Sequence, residues 1–146
     1  MNNKPVAEAL KTVLADSYAL YLKTHNYHWN VEGPNFRALH LMFEEQYTDL
    51  ATAVDEIAER VRSLGEKAPG TFSAFSKLSS IKEGDENADA AFMVKDLAAS
   101  QDMIVKSLKD ALDIAQKADD EVTAGLLIDR MGVHEKAAWM LKSIAA

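Results

Sequence analysis

The sequence predicts an all-α protein: a four-helix bundle with a short extra helix in the connection between its second and third long helices. Three observations lead there. Apolar residues recur at three- and four-residue spacing over four long stretches. Only six Gly and three Pro interrupt 146 residues, and 48% of the chain is apolar, a composition that suits long helices better than turn-rich sheet. One domain spanning residues 1–146 is expected, since domains commonly run to about 100–150 residues and such a chain can bury a core.

Asn3 ahead of Pro5 marks a helix start. Leu10, Leu14, Tyr21 and His28 then fall within about 40° of one another at 100° per residue, which predicts a helix of about 26 residues. "EGPN" at 32–35 breaks it, because Pro34 restricts the residue before it and Gly33 relaxes the backbone. From Phe36, apolar residues recur at Phe43, Leu50, Ile57 and Leu64, with a second row at Tyr47, Val54 and Val61. Gly65 ends this helix. A connection of about 23 residues follows, long enough to require an explanation. Phe72, Phe75 and Leu78 predict a short helix inside it.

A third long helix is expected from about Asp89 to Lys117, burying Val94, Leu97, Ile104, Leu108, Ala111 and Ala115. A fourth follows "ADDE", with Val122, Leu126, Val133, Ala137, Met140 and Ile144 as its apolar row. No internal repeat or low-complexity tract is present. Four helices of roughly 40 Å, two short connections and one long middle connection describe a bundle of ferritin-like topology.

Composition removes several function classes. The chain has no Cys, which excludes disulfides, thiolate metal sites, iron–sulfur clusters and a cysteine nucleophile, and leaves His, Asp and Glu as metal ligands. "MNNKPVAEALK" lacks the apolar core of a signal peptide, and no run approaches the ~18 apolar residues that span a bilayer. A soluble, cytoplasmic protein is expected. A net charge of −7 disfavours a general electrostatic grip on nucleic acid and favours cations as partners.

"THNYHWNVEGPNFRALH", residues 24–40, holds three of the four histidines. Core di-metal sites of ferritin-like bundles use Glu-x-x-His, whose ends share a helix face. This chain has none: Leu22, His25, Arg37 and Met131 stand three residues before its four histidines. Any metal site must lie elsewhere. With Phe43 at 0° on the second helix, His40, Glu44, Asp55 and Glu59 fall at about 60°, 100°, 120° and 160°, one polar flank beside the core stripe. Ala51 and Ala58 share that flank and would let another helix approach closely.

Fifteen residues separate His40 from Asp55, about 22 Å along the axis, far beyond the ~2 Å of a metal bond. One chain alone cannot close such a site. A second copy packed antiparallel across the flank could bring its Asp55 and Glu59 to the first copy's His40 and Glu44, with His28 joining them, and two-fold symmetry would make two sites. Two imidazoles and three carboxylates suit Fe(II), and Zn or Mn could use the same donors.

"HWNVEGPNFRALH", followed fifteen residues later by "DEIAER", closely resembles the Dps proteins, the dodecameric mini-ferritins of bacteria. The resemblance covers nearly the whole chain as topology, and its distinctive motifs lie within residues 24–65. It implies a hollow homo-dodecamer with ferroxidase centres at two-fold interfaces. His28, His40 and Glu44 match the ligands from one subunit, and Asp55 and Glu59 those from its neighbour. The family often has Asp where this chain has Glu44. Trp29 resembles the family's Trp near the centre, whereas His25 matches no ligand position.

The implied reaction is oxidation of Fe(II) to Fe(III), with hydrogen peroxide as the oxidant, followed by storage of a ferric mineral inside the shell. The resemblance also implies acidic iron channels at three-fold axes, for which Asp120, Glu121 and Asp129 are the candidates. Gly125 stands where some relatives carry an acid, and "ADDE" equally suits helix capping. Tyr18, Tyr21, Tyr27 and Tyr47 are read as core or interface aromatics, and His134 as structural.

Two other readings stay in view. Many relatives condense DNA through basic tails, but here Lys4 alone precedes the first helix, "KSIAA" adds one lysine, and strong DNA binding is not expected. A metal-free helical scaffold would use the polar flank as a packing surface.

Overall fold

The computed structural model describes residues 3–146. Met1 and Asn2, part of the stretch examined for a leader, lie outside the described residues. Five helices follow in order: α1 (Lys4–Asn30), α2 (Phe36–Ser63), α3 (Phe72–Leu78), α4 (Ala90–Lys117) and α5 (Glu121–Ala145), with no strand among the described residues. Helix α1 packs on α2, α4 on α5, and α1 on α4, while the short α3 lies against α1. This is the expected four-helix bundle with its extra helix in the long connection. Among the described residues, no helix is long and apolar enough to cross a membrane.

The predicted rows of the first three long helices face the core with few exceptions. Leu10, Leu14, Phe43, Leu50, Ile57, Val94, Leu97, Ile104, Leu108, Ala111 and Ala115 are all buried. Phe36 lies at the start of α2 and is exposed. Lys4, expected ahead of the first helix, is the first residue of α1.

Helix α5 departs from expectation. Val122, Val133, Met140 and Ile144 are exposed, and the buried stripe runs instead through Thr123, Ala124, Leu127, Arg130, His134, Ala138 and Leu141. The helix is apolar on two faces, so its hydrophobic pattern does not choose between them. The polar members of the buried stripe are matched by other helices. Arg130 pairs with Asp49 of α2 (Nη2 to Oδ2, 2.8 Å) and donates to His134 Nε2 (3.0 Å), whose Nδ1–H donates to Gln101 Oε1 of α4 (2.6 Å).

The breaks are sharp. Gly33 takes φ +119° in the turn between α1 and α2, and Gly65 φ +94° just after α2, conformations that glycine reaches without steric penalty. The long connection is tied down by buried polar groups. Fully buried Asp16 accepts from the Ser79 hydroxyl (2.8 Å), the Ser80 amide (2.7 Å) and, on α4, the Ser107 hydroxyl (2.6 Å). Tyr27 donates to Asp96 (2.6 Å) and accepts from the Asp85 amide (3.0 Å). Burial first, and the Asp96 bond second, push its phenol well above the ordinary tyrosine range.

Candidate metal centre

The turn at 31–35 brings the end of α1 against the start of α2, and with it two imidazoles. The rings of His28 and His40 stack with centroids 3.8 Å apart and an interplanar angle of 15°. His28 Nδ1 lies 2.8 Å from the His40 carbonyl oxygen, and His40 Nδ1 lies 2.7 Å from the His28 carbonyl oxygen. A carbonyl only accepts, so each Nδ1 is the donor. In the neutral ring, Nε2 then keeps its lone pair. A metal-ligating histidine ordinarily donates its other N–H to such a carbonyl, which fixes tautomer and ring orientation.

His28 is buried and His40 half-buried. Half-exposed Glu44 brings Oε1 to 3.9 Å from His28 Nε2. His28 is therefore close to two other expected ligands, His40 and Glu44, near the start of α2. Asp55 and Glu59 lie farther along the same helix, exposed. Among the described residues, no three His, Asp or Glu side chains of the single chain form a group able to hold a metal ion. The donor set of two imidazoles and three carboxylates suits iron, but it is divided between two regions of the chain.

His25 lies one turn before His28 and is sandwiched between Trp29 (3.9 Å between ring centroids) and Tyr47 (4.2 Å). Burial, and then the proximity of His28, lower its pKa below the ordinary histidine value. Its ring serves packing here. Trp29 is 60% exposed beside it.

The acidic residues at the start of α5 divide between two roles. Asp120 caps the helix, accepting from the Thr123 amide (3.0 Å) and hydroxyl (2.6 Å), and also pairs with Arg60 Nη2 (3.0 Å). Burial works against its charged form, but the Thr123 bonds and Arg60 outweigh it and hold the carboxyl below the usual range. Glu121 and Asp129 are exposed. Within "DEIAER", Arg60 thus turns to α5 (Nε to Thr123 Oγ1, 2.9 Å), a long-range role that local sequence does not reveal.

Local sequence reasoning also missed the network of Asp49, Arg130, His134 and Gln101. Arg130 and His134, four residues apart on one helix face, were its only local signal. His134 is 2% exposed, and burial first, with Arg130 second, pushes its pKa down to about 3.

A family model for the ferritin-like domain matches residues 7–146. The chain is 43% identical over 141 residues to DNA protection during starvation protein 2 of Bacillus anthracis, covering 97% of each. The chain is a ferritin-like protein of the Dps family. The Dps crystal structure from Bacillus brevis superposes with a TM-score of 0.96 at 41% identity, covering 99% of this chain and 97% of that one. The Dps protein of Vibrio cholerae, a member of a broad superfamily of ferritin-like diiron-carboxylate proteins, superposes at 0.95 with 34% identity, covering 99% and 91%.

Proposed function

We propose that this Dps protein oxidises Fe(II) to Fe(III) with hydrogen peroxide at centres shared by two copies, and stores the ferric product inside a hollow shell of twelve. His28, His40 and Glu44 of one copy, with Asp55 and Glu59 of the other, bind the iron substrate. The observation that carries this reading is the reciprocal carbonyl bonding of His28 and His40, which leaves both Nε2 lone pairs free, that of His28 beside the Glu44 carboxylate. A packing pair has no need of that arrangement.

The chemistry follows from the donors. Imidazole nitrogens suit Fe(II), and carboxylates retain the harder Fe(III). Two Fe(II) ions each give one electron to one peroxide, which takes up two protons and leaves as two waters, so no hydroxyl radical is released. Glu121 and Asp129 are proposed to draw cations towards the shell through their exposed negative charge, as an acidic surface attracts counter-ions. Asp120 is proposed to contribute charge there while it holds the helix start. The protein is assigned to the cytoplasm, where reduced iron is available.

DNA protection, which the relatives' names state, follows in this reading from removing Fe(II) and peroxide together. Direct condensation is disfavoured, since every copy brings a charge of −7 to a phosphate surface. Mixing purified protein with Fe(II) and peroxide while following near-ultraviolet absorbance tests the proposal. A rapid ferric signal is expected, slowed at least about tenfold by Asp55→Ala or His40→Ala, with the assembly's mass unchanged. A wild-type protein giving no ferric signal, or variants keeping its rate, overturns it and favours a metal-free scaffold.

A further inference from the structure

Tyr47 sits at a junction of rings. Its centroid lies 5.1 Å from His28, 4.2 Å from His25 and 6.0 Å from Tyr21. Tyr21 continues to Tyr18 at 5.6 Å, and His25 to Trp29 at 3.9 Å. Tyr18, Tyr21, His25 and His28 recur at spacings of three and four, so they share one face of α1, and Tyr47 of α2 closes the series. The path ends at Tyr18, which lines a groove of 970 Å³ between α1 and the 72–86 segment. Tyr27, next to His28 in sequence, is held apart from it by Asp96 and Asp85.

We propose that Trp29, Tyr47, Tyr21 and Tyr18 form a one-electron relay that drains oxidising equivalents from the neighbourhood of His28 and His40 and delivers them to the groove. Ten residues of helix separate His28 from Tyr18, about 15 Å along the axis. Electron exchange between rings weakens steeply with separation; Tyr47, Tyr21 and Tyr18 follow one another close to ring contact, and Trp29 reaches Tyr47 across the His25 ring that lies between them. The relay rests on the proposed iron reaction only for the origin of the oxidant, a hydroxyl radical formed when stray Fe(II) meets peroxide.

The steps balance. Hydroxyl radical takes a hydrogen atom from the Tyr47 phenol, giving water and a phenoxyl radical. One electron then passes from Tyr21 to Tyr47 and from Tyr18 to Tyr21, each phenol releasing its proton on oxidation and regaining one on reduction. A small thiol in the groove gives a hydrogen atom to the Tyr18 radical and becomes a thiyl radical. An oxidised Trp29 drains the same way, because a phenol that loses its proton is easier to oxidise at neutral pH than an indole.

Pulse radiolysis of iron-free protein with azide radical tests this without the iron reaction. Azide radical becomes azide anion by taking one electron from an indole, and Trp139→Phe leaves Trp29 as the sole tryptophan. The indolyl signal is expected to decay by a concentration-independent first-order step as the phenoxyl signal rises. Tyr47→Phe, which keeps the ring packing, is expected to slow that step at least tenfold. Tyr21→Phe is expected to preserve it but halve, or more, the oxidation found at Tyr18 by mass spectrometry. An unchanged rate in Tyr47→Phe, or unchanged Tyr18 oxidation in Tyr21→Phe, overturns the relay. Stopped-flow iron oxidation by the same variants reads the proposed function separately.

Discussion

The imidazoles of His28 and His40 each donate to the other's backbone carbonyl, at 2.8 and 2.7 Å. Two helices are thereby clasped at the residues that carry the candidate ligand atoms. His40→Ala removes one Nε2 and leaves the His28 carbonyl without this partner. Co(II) affinity is expected to fall at least about tenfold, and unfolding stability by about 1–3 kcal/mol. Isothermal titration and chemical denaturation read the two losses. A drop in stability with unchanged Co(II) binding would show the clasp to be structural only.

If each centre draws ligands from two copies, two inactive variants should restore each other. A pair formed from one His40→Ala copy and one Asp55→Ala copy keeps one intact centre and one doubly altered centre. Random mixing makes about half the pairs mixed, so about a quarter of wild-type activity is expected after disassembly and joint reassembly. Ferric absorbance after refolding the mixture measures it. No recovery, with assemblies re-formed, would sink the shared centre.

His134 predicts a pH effect on stability. Its folded pKa, about 3, lies below the ordinary 6.5, so between these values the unfolded chain binds the extra proton. Stability is therefore full above about pH 6.5 and falls as pH drops towards 3, at up to about 1.4 kcal/mol per unit. Between pH 6.5 and 5, His134 alone contributes a loss of about 2 kcal/mol. His134→Gln should flatten this part of the profile in calorimetric melting. Parallel profiles for the two proteins would refute the assignment.

Asp120 serves the helix before it serves any channel. Asp120→Ala removes the cap and the ion-pair partner of Arg60, and a destabilisation of about 1–2 kcal/mol is expected. Glu121→Gln and Asp129→Asn leave the cap intact. Their expected effect is slower uptake of Fe(II) without a change in melting temperature, measured as the initial rate of ferric absorbance against ionic strength. Equal uptake at low salt would remove these two residues from the route.

No retarded band is expected when the assembly is run with duplex DNA at physiological salt and neutral pH. At −7 per chain, the twelve copies of the proposed shell would sum to about −84 and oppose phosphate. A clear shift under those conditions would require a binding surface that charge does not reveal.

Much of this was legible without coordinates. Four periodic stretches, Gly33, Pro34 and Gly65 set the number and limits of the long helices, because helix breaks and apolar faces are local properties. The absence of Glu-x-x-His, and the distance between His40 and Asp55, led to the expectation of a site shared by two copies, which the proposed function carries forward. Local reading failed on α5. There the burial of Thr123, Arg130 and His134 depends on Arg60, Asp120, Asp49 and Gln101, partners that lie 33 to 81 residues away except for the cap.

By itself the sequence determined an all-α bundle, its breaks, and the residue types available to hold a metal. Tertiary structure alone decided which face of α5 is buried, that Asp120 pairs with Arg60, and how His28 and His40 lock one another's tautomers. The physical reason is common to all three. A polar group's environment is set by the partner that satisfies it, and those partners meet only when distant helices pack.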